Sequence, residues 1–95
     1  MSGYQDMRVW QASHSLTLEI YKLTDGFPSE EKYGLVSQMR RAAYSVPSNI
    51  AEGKALRSQA DFKRYLIIAM GSANELSYFL LLSKGLGFII GEKYE

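Results

Sequence analysis

A chain of 95 residues, 46% of them hydrophobic, can form one domain around one core, near the lower end of what folds unaided. With no cysteine and one histidine, His14, it excludes disulfides, thiolate metal sites and any His pair within a single chain. The net charge is +1 but is unevenly spread: residues 40–64 hold six basic and two acidic residues, the remainder five basic and eight acidic. A basic middle of this kind points to a polyanionic partner, or to the solvated charges that any helix face carries.

Met1 to Arg8 are polar, and the apolar stretches that follow alternate with polar residues. Neither a secretory segment nor a membrane span is therefore predicted; Tyr78 to Leu82, the richest apolar run, is too short to cross a bilayer. The expected location is cytoplasmic, which suits a chain without cysteine.

The first helix is predicted over about residues 4–26. Val9, Ala12, Leu16, Ile20, Leu23 and Phe27 recur at steps of 3, 4, 4, 3 and 4, a narrow apolar seam. Trp10, Thr17, Tyr21 and Thr24 run beside it and widen the buried face enough to meet two neighbours. Gly26 supplies a helix end, and Phe27-Pro28 cannot continue the helix.

A second helix is predicted over about 29–55, capped by Ser29 with Glu30 and Glu31 in its first turn. Leu35, Met39, Ala42, Val46, Ile50 and Gly53 keep one phase on both sides of Pro47, which predicts a single kinked helix rather than two. Gln38, Ser45, Asn49 and Glu52 stand one position earlier in the same rhythm. They form a polar seam on the flank of the core, where unpaired groups would each cost about 1–3 kcal/mol.

Ser58-Gln59-Ala60-Asp61 has the form of a capping box and opens a third helix over about 58–84. Phe62, Leu66, Ala69, Ala73, Leu76 and Leu80 make its seam, and Gly71-Ser72-Ala73 would let a facing backbone approach closely. Glu75 is expected to pair with Arg41 or Asn49 across the bundle. Gly85 and Gly87 end the helix, with Leu86 as the apolar residue of the cap. Residues 91–95 are predicted as the first turn of a fourth helix, most of which is missing from this chain. The expected fold is all-α, an up-down-up-down four-helix bundle in one domain over 1–95, whose open groove between helices one and three is filled by the rest of a longer chain or covered by another subunit or polypeptide.

Tyr4-Gln5-Asp6-Met7-Arg8-Val9-Trp10, Phe27-Pro28 with Glu30 to Leu35, Gln38 with Arg40 to Gly53, and Ala69 with Gly71, Ser72, Glu75 and Leu76 carry a resemblance over almost the whole chain. The chain is similar to the bacterial four-helix bundle proteins encoded in intervening sequences of large-subunit ribosomal RNA genes. These were formerly labelled ribosomal, and the accessory variability proteins of diversity-generating retroelements are grouped with them. The resemblance implies a ring-shaped homopentamer and, for the retroelement members, binding to nucleic acid and to a reverse transcriptase through basic surface.

Arg40, Lys54, Arg57, Lys63 and Arg64 are the candidate nucleic-acid contacts, since several cations must act together before counterion release yields affinity for RNA or DNA. Tyr44 and Tyr65 could stack on bases, although tyrosines in bundles more often pack. Gln38, Arg41, Ser45, Asn49, Glu52 and Glu75 are expected to form a structural polar network. No activated nucleophile, metal set or histidine base accompanies them, so no enzymatic activity and no cofactor are expected. The chain therefore reads as a non-enzymatic, oligomeric nucleic-acid-binding accessory protein, with a protein-interaction scaffold as the alternative.

Overall fold

The computed structural model describes residues 3–56 and 58–89. Among them are three α-helices, α1 (Arg8–Thr24), α2 (Leu35–Ala55) and α3 (Gln59–Gly85), with 3-10 turns at Tyr4–Asp6 and Ser29–Glu31. The fourth helix expected at 91–95 lies outside the described residues. In the middle of the fold α2 packs against both α1 and α3, whereas α1 and α3 hardly meet each other.

The start of α2 differs from the sequence-based expectation. Ser29 opens only a 3-10 turn, and the α-helix begins six residues later with Gly34 at its N-cap. The first amide, Leu35 N, donates to Glu31 Oε1 at 3.3 Å, so the acid expected within the first turn serves from outside it. From there α2 runs without interruption through Pro47 to Ala55. Leu35, Met39, Ala42, Ile50 and Gly53 are buried as the seam requires, and Val36, Ala43 and Pro47 form a second buried line beside them.

That second line decides which face of α1 is covered. The buried residues of α1 are Ser13, Thr17, Ile20 and Thr24, at steps of 4, 3 and 4, while Val9 and Leu16 of the predicted seam stay exposed. Small residues win because the helices approach closely: Thr17 Oγ1 shares its one proton between the Ala43 carbonyl at 3.1 Å and Ser13 O at 2.8 Å. Ser13 and Thr24 return their hydroxyls to Trp10 O and Ile20 O within their own helix, which removes the cost of burying them.

Ser58 Oγ accepts from Asp61 N at 3.0 Å and caps α3 as predicted. Ala69, Leu76 and Ser83, seven residues apart, form its buried line. Ala73, expected in the seam, is exposed. The close approach predicted for Gly71 occurs instead at Gly53, where an added Cβ would lie 2.8 Å from Tyr65 Cβ and 2.9 Å from Phe62 Cδ1, while none of these atoms surrounds Gly71. At the C-terminus Gly87 takes a φ of 82°, Gly87 N donates to Lys84 O and Phe88 N to Ser83 O. That pattern is a Schellman motif, and its apolar residue is Phe88, which meets Phe27 at 5.3 Å, not the exposed Leu86.

Much of α3 is left uncovered. Ile67, Met70, Tyr78 and Leu81 form an exposed apolar stripe on the flank away from α2. An 18-residue window of this helix has a mean hydropathy of 1.4 with 17% of it buried, so by length and composition alone it could cross a membrane. No such span was expected from the sequence. The apolarity of α3 extends round the helix, beyond the one line that α2 uses.

Candidate nucleic-acid interface

Lys54 stands in the last turn of α2, and Lys63 and Arg64 in the second turn of α3. All three are exposed. The close packing of Gly53 against Phe62 and Tyr65 holds the two helix ends together, so these cations all stand near the α2–α3 junction, with the adjacent Lys63 and Arg64 pointing about 100° apart. Arg64 is paired with Asp61, whose Oδ1 lies 3.5 Å from Arg64 Nη2, both side chains being about half exposed or more. In water such a pair is worth well under about 1 kcal/mol, so it leaves Arg64 available to a phosphate. The guanidinium also lies 5.3 Å from the Tyr65 ring centre, which keeps it near the surface of the helix. Arg57 lies outside the described residues.

Arg40 does not belong to this group. Its Nε donates to Thr24 Oγ1 at 2.9 Å, its Nη2 donates to Tyr21 O at 3.2 Å and to Asp25 Oδ1 at 3.0 Å, and the guanidinium lies over the Tyr21 ring at 4.4 Å. These contacts fasten the C-terminal end of α1 to α2. The helix macrodipole adds to them, because a cation beside the last carbonyls of α1 is favoured. The structural arginine is thus Arg40, whereas Arg41, one position on and about 100° round the helix, is exposed.

The predicted polar network is not assembled within the chain. Asn49 Nδ2 donates to Ser45 O at 2.7 Å, a bond within one helix. Gln38, Glu52, Arg41 and Glu75 are exposed, and the ion pairs among the described residues are Arg40–Asp25 and Arg64–Asp61, not Arg41–Glu75. The α1–α2 contact relies instead on hydroxyls that bond backbone carbonyls, and these leave no buried side-chain nitrogen or oxygen without a partner among the described residues. Among those residues no group of three or more His, Asp or Glu side chains could hold a metal ion.

Three helices packed through a central one, with exposed cations near the α2–α3 junction and an exposed apolar stripe on α3, define a small all-α protein. The chain belongs to the 23S rRNA-intervening sequence protein family, whose model matches residues 5–95. No curated protein matches the chain.

Proposed function

We propose that this protein is a non-enzymatic accessory protein that binds nucleic acid through the basic residues around the α2–α3 junction. The observation that supports this reading is the exposure of Lys54, Lys63 and Arg64 around the α2–α3 junction, where the Arg64–Asp61 pair is weak. Such cations recognise phosphates by charge and not bases by pattern, so binding is tolerant of sequence and steeply dependent on salt. Ser58, which uses its hydroxyl to cap α3, sits at the same junction, so the positive end of that helix adds to the field.

The uncovered stripe of α3 supports self-association as part of this function. Repetition of these basic residues around a homo-oligomer would multiply the phosphate contacts without lengthening the chain. The same stripe equally suits a protein partner, which is the scaffold reading.

Retention of the protein on single- and double-stranded nucleic acid across a salt series tests the proposal. Lys54→Ala, Arg57→Ala, Lys63→Ala and Arg64→Ala combined should lower the salt slope by about one unit for each phosphate no longer neutralised, with helicity unchanged. Absence of salt-dependent binding, or unaltered binding by this variant, would leave the scaffold as the better reading.

A further inference from the structure

Tyr4, the α1 residues from Trp10 to Tyr21 and the α2 residues from Tyr44 to Glu52 line an open cleft of about 640 Å³. Five rings line it, those of Tyr4, Trp10, His14, Tyr21 and Tyr44, together with the carboxylate of Glu52. Among the described residues no lysine or arginine lines the cleft, and Glu52 makes no hydrogen bond or ion pair. The rings at its α1 end are not all coplanar. Tyr4 meets Trp10 edge-on at 5.0 Å and 64°, and His14 stacks on Trp10 at 4.9 Å and 10°, so one face of the indole is already covered. The chain itself sets a cation on one of these rings, since the Arg40 guanidinium lies 4.4 Å from the centre of Tyr21.

We propose that this cleft is a binding site for an organic cation, a guanidinium or alkylated ammonium group. Aromatic rings present negative faces to such a group, and an adjacent carboxylate with no ion pair among the described residues supplies the charge that favours a cation over a neutral ligand of the same shape. A nucleotide fits less well. It would bring phosphates to a cleft whose charged lining residue is a carboxylate, and the covered indole offers it a single face for stacking. The cation can come free in solution or as the basic side chain of another polypeptide. Neither source depends on the nucleic-acid reading of the α2–α3 junction.

Trp10 is the one tryptophan of the chain, so its fluorescence reports on the cleft directly. At constant ionic strength, N-methylguanidinium and tetramethylammonium should give saturable fluorescence changes, while the neutral shapes methylurea and tert-butanol should not. Glu52→Gln should weaken both cations about threefold to tenfold, and Tyr44→Leu about threefold, with far-ultraviolet circular dichroism unchanged. A glycyl-arginyl-glycine peptide that binds more tightly than N-methylguanidinium assigns the natural cation to a polypeptide; equal affinity assigns it to a free molecule. The proposal is overturned if the neutral probes or adenosine titrate Trp10 as well as the cations do. It is also overturned if a folded Glu52→Gln variant binds the cations unchanged.

Discussion

Thr17 shares its one hydroxyl proton between Ser13 O at 2.8 Å and, at 3.1 Å, the carbonyl of Ala43, the one carbonyl of α2 that Pro47 leaves without its helical donor. A proline in a helix interior removes one amide, and here the neighbouring helix replaces it. Thr17→Val, which keeps the shape and removes the proton, should therefore cost about 1–3 kcal/mol in chemical denaturation. In a Pro47→Ala background the restored amide serves Ala43, and the same substitution should cost about 1 kcal/mol less. Equal losses in the two backgrounds would show that the hydroxyl does not compensate for the proline.

Gly53 marks the closest approach of α2 to α3. Its added Cβ would meet Tyr65 Cβ at 2.8 Å, an atom that moves only with its backbone. Gly53→Ala should destabilise the fold by about 1–2 kcal/mol, because overpacking outweighs the gain in helix propensity. Gly71→Ala has nothing within 4 Å of the new carbon and should instead gain up to about 1 kcal/mol in the isolated chain. Thermal unfolding of the two variants side by side checks both signs.

Arg40 and Arg41 are adjacent and should behave oppositely. Arg40→Ala removes bonds to Thr24, Tyr21 O and Asp25 together with the contact to the Tyr21 ring. The Asp25 side chain is 80% exposed, so its ion pair contributes little, and the expected loss of about 1–3 kcal/mol comes mainly from the partly buried bonds to α1. Arg40→Lys keeps the charge but not the planar fork, and should recover less than half of it. Arg41→Ala should stay within about 0.5 kcal/mol of the parent, as an exposed residue does. Melting temperatures for the three variants decide this.

The exposed stripe of Ile67, Met70, Tyr78 and Leu81 predicts the state of the protein in solution. If self-association covers it, the unsubstituted chain sediments well above its monomer mass of 10.7 kDa, and Met70→Glu with Leu81→Glu lowers the mass while keeping the helices. A stable, non-aggregating monomer of the parent chain would exclude self-association through this face.

Local pattern alone was enough for the parts of this protein that one helix settles by itself. The capping of α3 by Ser58 follows from the order of four residues, and the continuity of α2 through Pro47 follows from an apolar phase that is the same on both sides of the proline. The burial of Leu35, Met39, Ala42 and Ile50 follows from the same phase. The excess of positive charge in the middle of the chain was likewise visible, and Lys54, Lys63 and Arg64 are exposed. What periodicity cannot supply is the identity of the facing surface. Helix α1 carries two lines of residues, and the apolar line was the natural choice for the core. The buried line holds Thr17 and Thr24 because α2 offers a small, flat surface at Ala43 and Pro47 and needs a donor there. Arg40 rather than Arg41 became structural for the same kind of reason: only its direction from the helix axis meets the last carbonyls of α1. Gly53, not Gly71, became the point of close approach because α2 and α3 converge at their connecting turn, a feature of their packing that neither helix encodes alone.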